Sequence, residues 1–277
     1  MAPFLFVTDL HGNRWKYERT LALAREIGAW LVVNGGDISP SGRRHGDQER
    51  FYRQFLDPHF AAYQEAGIRH LTITGNDDLG AFDALLDEVC GKHPLVEHLS
   101  QRMATVDGYS FVGMNRVTDY PFRLKDRARR DAAGYAFGPQ FGIAVLSTAE
   151  GFREIPDWPS FAETLPTIGE ELAALPSPPD PSQAVYILHG PPSGLGLDMV
   201  RGGTCVGSPA TRDFIGRIRP RLTLHGHIHE SPEESGKWRG KIGETVCLQP
   251  GQSAAGLTVV VGDLDGMTFE RKVLAET

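Results

Sequence analysis

The sequence predicts an α/β fold with a parallel sheet, and two observations support this fold class. Over the first ninety residues, short apolar runs alternate with segments of helical spacing, each strand pattern followed by a helix pattern. Polar residues also follow each apolar run directly, where a buried strand would reach the edge of its sheet. Such alternation is typical of βαβ units, because parallel strands are joined by crossovers long enough to hold a helix.

Three strands and three helices make up this first part of the chain. The apolar runs predict strands at residues 3–8, 30–34 and 68–74. Helical spacing of apolar residues predicts helices at residues 14–28, 47–66 and 81–89. Gly28 and Gly67 stand at the ends of the first two helices, where a glycine commonly terminates a helix.

The second part of the chain is less regular, and we expect one domain over residues 1–277 with a surface excursion around residues 115–183. Asp107-Gly108 predicts the turn of a hairpin over residues 104–114. The excursion is rich in charge, glycine and proline, and we expect it to surround one short helix. The other regular elements are a helix at 208–218 and strands at 142–148, 184–190, 221–230, 244–248, 256–263 and 267–273.

Composition and charge restrict the possible functions. The chain of 277 residues is 40% hydrophobic and has a formal net charge of −7, which argues against nonspecific nucleic-acid binding through a basic surface. The basic run at 123–130 is interpreted as a solvated helix face or loop. The beginning of the chain is interpreted as a strand rather than a signal peptide, and no run of eighteen apolar residues would span a membrane.

The cysteines give an expectation about the compartment. Cys90, Cys205 and Cys247 are widely spaced, odd in number and without a C-x-x-C pair. This pattern predicts neither a disulfide framework nor a zinc–thiolate site. We therefore expect a cytoplasmic protein, and no pattern in the sequence indicates its oligomeric state.

The stretch LHGHIHE at residues 224–230 places three histidines at alternate positions directly after an apolar run. In an extended segment, residues two apart point to the same side, so His225, His227 and His229 would face one way. Imidazole is the commonest metal ligand near neutral pH. Two interpretations are open at this point: a metal site, or a surface strand with solvated histidines.

Polar residues at the ends of four other apolar runs favour the metal site. In α/β sheets, ligands bind in the crevice outside the carboxyl ends of the strands. Each residue alone could cap a helix or form a turn, but that explanation would have to hold at five strand ends in succession. The candidate ligands at these five ends are Asp9, His11, Asp37, Asn76, His189, His227 and His229.

The chemistry of these seven side chains indicates a pair of divalent transition-metal ions. Two carboxylates, one amide oxygen and four imidazoles suit Mn, Fe, Co or Zn better than Mg or Ca, which prefer oxygen ligands throughout. Seven ligands are too many for one tetrahedral ion, but they suit two ions that share a bridging carboxylate. Five neighbouring glycines would allow the backbone to approach the ions closely: Gly12, Gly36, Gly75, Gly190 and Gly226.

The same residues resemble the motif set of the calcineurin-like metallophosphoesterases. All five blocks of that pattern occur in order: D-x-H at 9–11, G-D at 36–37, G-N at 75–76, a lone His189 and G-H-x-H at 226–229. Residues 189–198 and 206–230 further resemble the Icc-related, cyclic-phosphodiesterase-like branch. The stretch LQPGQS at 248–253 is similar to the Asn-Pro-Gly turn of the family, with Gln249 in place of the asparagine.

The resemblance implies a fold, an activity and an allocation of ligands. The expected fold is a four-layer α/β/β/α sandwich of two mixed β-sheets flanked by helices. The expected activity is hydrolysis of a phosphodiester, on a small phosphoester or nucleotide substrate, by attack of a metal-bridged hydroxide. His225 has no ligand role in this pattern. One metal would be held by Asp9, His11 and His229, the other by Asn76, His189 and His227, with Asp37 as the bridge.

One position departs from the family pattern. The family usually reads G-N-H-[DE], in which the histidine protonates the leaving oxygen, whereas Asp77 follows Asn76 in this chain. An aspartate of ordinary pKa, about 3.9, is ionised at pH 7 and cannot donate a proton. Asn76 and Asp77 are thus the catalytic candidates, and three explanations are open. Asp77 has a raised pKa, another group such as His45 is the acid, or the leaving group needs little help.

Other functions are compatible with parts of the sequence. A phosphomonoesterase or a nucleotide pyrophosphohydrolase would use the same site. A metal-binding scaffold or sensor with weak catalysis would explain Asp77, but not the presence of all seven candidate ligands. A mononuclear zinc hydrolase built on the three C-terminal histidines would leave the ligands of the first three strand ends unexplained.

Overall fold

The structure is a computed structural model that describes residues 2–41 and 44–276. In chain order its first elements are β1 (Phe4–Val7), α1 (Arg14–Glu26), β2 (Leu31–Asn34), α2 (His45–Phe51), α3 (Asp57–Glu65), β3 (Arg69–Thr72), α4 (Asp83–Gly91), β4 (Val96–His98), β5 (Met103–Val106) and β6 (Tyr109–Met114). The middle elements are β7 (Val117–Thr118), β8 (Ala128–Arg129), β9 (Ala144–Thr148), β10 (Gly151–Ile155), α5 (Trp158–Glu163) and α6 (Ile168–Ala173). The last elements are β11 (Ala184–Leu188), α7 (Pro209–Ile218), β12 (Leu222–Leu224), α8 (Ser231–Ser235), β13 (Arg239–Ile242), β14 (Thr245–Leu248), β15 (Gly256–Asp263) and β16 (Thr268–Ala275).

The first of two six-stranded sheets has the order β16-β15-β1-β2-β3-β4. Its strands β1 to β4 are parallel, as the alternation of strands and helices predicted, and β15 and β16 add an antiparallel pair at one edge. All four residues of β1 are buried, and so are all four of β2. Burial on both faces explains why these strands are continuous apolar runs rather than alternating ones.

The second sheet has the order β13-β14-β12-β11-β6-β5. Its four central strands are parallel, and β5 and β13 are antiparallel edges. The predicted hairpin forms between β5 and β6, and both turn residues have positive φ, +47° at Asp107 and +84° at Gly108. A two-residue turn of this kind requires positive φ at both positions, which Asp-Gly supplies at low cost.

The two sheets face each other across an apolar core and are covered by helices on their outer faces. Phe6 and Val33 of the first sheet pack into the same core as Phe111, Ile187 and Leu224 of the second. Helices α1 to α4 cover the other face of the first sheet, and α6 and α7 cover the other face of the second. This is the expected four-layer α/β/β/α sandwich of two mixed β-sheets, so the fold class is confirmed.

Several predicted elements differ in extent. The helix predicted at 47–66 begins at His45, and a π-helical segment, Tyr52–Leu56, joins α2 to α3. The strand predicted at 221–230 ends at Leu224 as β12. Strand β13 was not predicted, because this exposed edge strand has no apolar run to mark it. That residues 1–277 form one domain stays a prediction.

The predicted surface excursion is better ordered than expected. Residues 117–165, called the cap here, contain the hairpin of β9 and β10, the short strands β7 and β8, and helix α5. The cap has an apolar core of its own, in which Tyr120, Ala144, Ile155 and Trp158 are buried. The expectation of one short helix in the excursion was wrong: α6 follows α5, and its Ile168 and Leu172 pack on the second sheet.

The interpretation of the basic run at 123–130 as a solvated face was also wrong. Lys125, Arg127 and Arg129 are buried, with exposed fractions of 0%, 2% and 7%. Each forms an ion pair with a carboxylate: Lys125 with Asp119 of the cap at 2.8 Å, Arg127 with Asp83 of α4 at 2.5 Å, and Arg129 with Glu171 of α6 at 2.9 Å. Buried cations need such partners, and the pairs of Arg127 and Arg129 fasten the cap to the sandwich.

Among the described residues, every helix is too short or too polar to cross a lipid bilayer.

Candidate metal centre

The predicted ligands follow the carboxyl ends of strands in both sheets, and the loops that carry them are tied together. The Asp9 N–H, two residues beyond β1, donates to the Gly36 carbonyl at 2.9 Å. The Gly226 N–H donates to the carbonyl of His189, directly after β11, at 3.0 Å. Between the two sheets, the His227 N–H donates to Asp9 Oδ1 at 3.0 Å. The five strand ends therefore meet at one edge of the sandwich.

Four side chains converge on one point at this edge. Asp9, His11, Asp37 and His229 each offer one ligand atom, and these atoms all lie within 4.8 Å of one another. The Nε2 atoms of His11 and His229 are 3.0 Å apart, although the residues are 218 positions apart in the chain. His229 Nε2 also lies 3.3 Å from Asp9 Oδ1. Nitrogens and carboxylate oxygens aimed at a common point are the donor set of a transition metal.

The other three predicted ligands meet beside this cluster. Asn76 Oδ1 lies 3.1 Å from His189 Nε2 and 2.5 Å from His227 Nδ1. Asp37 lies between the two groups, with Oδ2 3.8 Å from His11 Nε2 and 3.5 Å from His189 Nε2. The fold thus brings all seven side chains together, and Asp37 is the carboxylate that both groups share.

Four of the seven residues have a left-handed backbone. The φ angles are +56° for Asp9, +44° for His11, +49° for Asp37 and +72° for His227. A non-glycine residue rarely adopts positive φ, and the strain is about 1 to 3 kcal/mol for each. Strain of this kind persists only where surrounding contacts impose it, and it concentrates at functional sites.

Two positions beside the candidate ligands require glycine, because the Cβ of any other residue would lie too close to the ligand side chains. A Cβ on Gly75 would lie 2.3 Å from Asp37 Oδ1 and 2.6 Å from His189 Nε2. A Cβ on Gly226 would lie 2.6 Å from Asp9 Oδ2. Gly190 differs from the prediction, because a Cβ there would meet only Val117 at an ordinary 3.5 Å.

The three histidines of LHGHIHE do not lie along one extended strand, as the alternating pattern suggested. Strand β12 ends at Leu224, and the positive φ of His227 turns the chain there. His227 and His229 reach the metal centre, whereas His225 is fully buried and bonds elsewhere. The His225 ring contacts the Leu188 carbonyl at 2.9 Å and the Thr223 hydroxyl at 2.8 Å. His225 therefore joins β11 to β12.

Two carboxylates and two histidines of the site stabilise each other's charged forms. Burial alone would lower the pKa of His189, but the carboxylates of Asp37 and Asp9 outweigh it and raise the pKa to about 9. His229 behaves alike: burial opposes its charge, yet Asp9 and Asp37 raise its pKa to about 9. Burial also opposes ionisation of Asp9 and Asp37, but the histidines hold the pKa of both carboxyls below the ordinary value.

Asp77 lies at the position where the family pattern has a histidine. Its N–H donates to Asp37 Oδ1 at 2.7 Å, and its Oδ2 is 3.6 Å from His11 Nδ1. The Asn76 amide donates to Asp77 Oδ1 at 3.1 Å. Burial, together with the charge of Asp37, raises the pKa of Asp77 to about 6. The pKa of Asp77 is thus raised, as the first explanation requires, but at about 6 it leaves most of the carboxyl ionised at pH 7.

His45, the alternative acid, is held by the cap. Its Nε2 lies 2.6 Å from the Thr148 carbonyl oxygen, and its ring packs against Phe82 and Phe152. This placement makes His45 a contact between α2 and the β9–β10 hairpin.

Two buried residues support the site through contacts that the sequence did not reveal. Asp78 is completely buried and accepts hydrogen bonds from the N–H groups of Ile38, Ser39 and Gly75 at 3.0, 2.9 and 2.7 Å. Burial raises the pKa of its carboxyl. Gln249 donates to the Ile228 carbonyl at 2.5 Å and fixes the loop of His227 and His229. Asp78 directly follows Asn76 and Asp77, and the acid of the family pattern G-N-H-[DE] falls at this position, but its backbone partners were not evident from the sequence.

The donor set fits a metal pair in its supporting contacts as well as in its ligand atoms. His189 Nδ1 lies 2.8 Å from the Gly35 carbonyl oxygen, which leaves Nε2 directed at Asp37 and Asn76. Metal-binding histidines usually donate their other ring N–H in this way. Asp9 and His11 also line an open cleft of about 630 Å³, together with Lys16 and Arg201, so small molecules can reach the site.

The sequence matches the calcineurin-like phosphoesterase family over residues 2–231. The chain therefore belongs to this family, whose members hydrolyse phosphate esters, and the expected resemblance is confirmed. No curated protein matches the sequence.

Several solved structures have similar folds, and one of them is described as a dimetal phosphatase. A Thermus thermophilus protein is 17% identical, with a TM-score of 0.61 and 98% of each chain covered. A dimetal phosphatase from Danio rerio is 10% identical, with a TM-score of 0.53, covering 99% of this chain and 96% of its own. At such low sequence identities, the structural similarity supports the fold of this chain and nothing further.

We predict that Gly75→Ala abolishes metal binding while the protein remains folded. The added methyl group would displace Asp37 and His189 together, and one carboxylate serves both halves of the site. Metal content measured by elemental analysis after Mn²⁺ loading should fall well below that of the wild type. The matched control is Gly46→Ala, because a Cβ on Gly46 in α2 meets nothing within 4 Å. Normal metal content in Gly75→Ala would contradict the close-packed geometry.

We also predict that metal binding releases protons and strengthens as the pH rises toward 9. His189 and His229 have a pKa of about 9 without metal, so both are protonated at pH 7 and must lose a proton to act as ligands. Asp9 and Asp37 are already ionised and release none. Titration calorimetry in buffers of different ionisation enthalpy should show release of about two protons at pH 7. An affinity independent of pH between 6 and 9 would contradict this.

Proposed function

We propose that the protein is a phosphodiesterase that uses two divalent transition-metal ions, drawn from Mn, Fe, Zn and Co. The observation that carries the proposal is the position of Asp37, 3.8 Å from the His11 ring and 3.5 Å from the His189 ring. One buried carboxylate thereby joins two groups of donors. A single ion would leave one of these groups without a function.

The proposed assignment of the ligands follows the two groups of side-chain donor atoms that lie close together. We propose that Asp9, His11 and His229 hold one ion, that Asn76, His189 and His227 hold the other, and that Asp37 contacts both. When bound, the pair would polarise a phosphoryl oxygen and lower the pKa of water. The residues of the chain fix the geometry: the Asp77 N–H donates to Asp37, Gly75 leaves room for the Asp37 side chain, and Asp9 accepts from the His227 N–H.

One charge beside the proposed ions, that of Asp77, counts against a monoester. Two divalent ions would bring a charge of +4 against the −2 of Asp9 and Asp37, so the centre attracts a phosphate anion. Asp77, with a pKa of about 6, is mostly ionised at pH 7 and adds a negative charge beside His11. A dianionic monoester is repelled by this carboxylate more strongly than a monoanionic diester.

Two further features are proposals. We propose a cytoplasmic location, supported by the free thiols of Cys90, Cys205 and Cys247. Nucleotides and other small esters are the proposed substrates, because the net charge of −7 disfavours a nucleic-acid polyanion.

The experiment that tests the function is a substrate panel with Mn²⁺-loaded protein. The panel compares aryl diesters, aryl monoesters, cyclic nucleotides and dinucleoside polyphosphates, and diesters should have the highest kcat/KM. Monoesters hydrolysed faster would instead identify a phosphomonoesterase. Elemental analysis should approach two equivalents of metal for each chain, and saturation at one equivalent would exclude the dinuclear site.

We expect Asp37→Asn to be the most damaging conservative substitution among the proposed ligands. It removes half of the carboxylate charge together with the shared contact, and we expect a loss of at least about 10³ in kcat, or roughly 4 kcal/mol of barrier. Asp9→Asn is the matched control, because it removes the same charge from one half only. An active Asp37→Asn beside a more impaired Asp9→Asn would contradict the bridging role.

We expect Asp77→His to increase the turnover of poor leaving groups more than that of good ones. In the wild type most Asp77 is ionised at pH 7, so the rate should depend strongly on leaving-group basicity. An imidazole that acts as a general acid typically increases the reaction rate by about 10²–10⁴-fold. The measurement is kcat/KM for a series of aryl and alkyl diesters with the same metal.

Two other results of this series would require a different role to be assigned to Asp77. A parallel change for every leaving group would mean that Asp77 affects substrate binding alone. A loss across the series with intact metal content would identify Asp77 as the working acid.

A further inference from the structure

Two exposed phenylalanines form a pair on the surface of the cap. Phe122 is 61% exposed and Phe141 is 63% exposed, the highest values among the large apolar side chains of the described residues. Their rings are in edge contact, with centroids 5.9 Å apart. Burying an aromatic side chain is favourable, so two rings left together in water are available to a partner.

The pair is held by the backbone and is not carried by a free loop. The Phe141 N–H donates to the Pro121 carbonyl at 2.8 Å, and the Val145 N–H donates to the Arg123 carbonyl at 2.8 Å. The segments that carry Phe122 and Phe141 are thereby joined side by side. The rings have a fixed relation to each other before anything binds.

Tyr120 connects this pair to the metal centre. Its ring centroid is 5.9 Å from that of His227, a proposed ligand, and 6.3 Å from that of Phe122. The Tyr120 hydroxyl donates to the Leu124 carbonyl at 2.5 Å, and the buried Lys125 ammonium lies 4.6 Å from the ring centroid. A continuous row of rings therefore runs from the metal centre to the surface of the cap.

We propose that Phe122 and Phe141 form a stacking subsite for the planar aromatic group of the phosphoester, a nucleobase or an aryl ring. The inference rests on the proposed function, since the ester must be held at the metal centre for its ring to reach the pair. The buried Tyr120 ring lies between the two places, in contact with His227 on one side and Phe122 on the other. Aromatic side chains stack on every base, so the subsite selects for planarity rather than for one base.

A small ester suits the subsite better than a nucleic-acid strand. Strand-binding surfaces combine stacking rings with a positively charged groove that follows the phosphates. Here the neighbouring Arg123 lies 3.6 Å from the carboxylate of Glu154, and the chain has a net charge of −7. The rings can therefore hold one aromatic group, but their surroundings do not attract a polyanion.

The test compares adenosine 5′-monophosphate with ribose 5-phosphate, which lacks the base. Both are titrated into Mn²⁺-loaded protein by calorimetry, and both compete against bis(p-nitrophenyl) phosphate hydrolysis. The wild type should bind the adenine compound at least about fivefold more tightly. In the double variant Phe122→Ala/Phe141→Ala the ratio should fall to about one, with binding of ribose 5-phosphate unchanged. Phe152→Ala is the control, since Phe152 is 41% exposed on the same cap but packs on His45.

Three results would overturn the subsite. The first is a ratio that the double variant leaves unchanged, and the second is a single-stranded oligonucleotide that competes more strongly than the mononucleotide. The third is a wild-type dimer, measured by light scattering, that becomes a monomer in the double variant, which would identify the pair as a subunit contact. Absence of hydrolysis of every ester would refute the proposed function instead, and the calorimetric ratio would still decide the subsite.

Discussion

The carboxylate of Asp78 is the interaction on which the arrangement of the site depends. It accepts the N–H groups of Ile38, Ser39 and Gly75, and so joins the loops that follow β2 and β3. Those loops carry Asp37, which lies between the two groups of candidate ligands, and Asn76, which belongs to the second group. Without the Asp78 carboxylate, each of the three buried N–H groups would lack a partner, and each would cost about 1–3 kcal/mol of folding stability. The relative position of Asp37 and Asn76 is therefore set by a residue that is not itself a candidate ligand.

Backbone strain and hydrogen bonding act together at this edge. Asp9, His11 and Asp37 adopt positive φ, and the N–H groups of Asp9 and His11 bond the carbonyls of Gly36 and Asp37 at 2.9 Å. The loop after β1 and the loop after β2 thus hold each other in conformations that neither would adopt alone. Gly75 and Gly226 leave the room that the turned side chains occupy.

The sequence predicted most of the candidate ligands and the parallel core because both have local signatures. Apolar runs mark β1, β2 and β3, and the polar residues that follow them mark the edge where ligands gather. The roles of Asp78 and Gln249 could not be predicted, since both act through backbone groups of distant loops. Arg127 and Arg129 were misassigned because a charged run indicates solvent unless its partners are known, and these partners lie on other segments.

The proposed metal centre cannot form until almost the whole chain has folded. His11 and His229 are 218 positions apart, so the first cluster is closed by one of the longest connections in the molecule. A nascent chain that has emerged only as far as Asn76 offers carboxylates and a single imidazole of this set, and unfolded ligands bind metal weakly. During synthesis the protein would therefore compete little for cellular metal, and capture of the ions would mark the end of folding rather than guide its beginning.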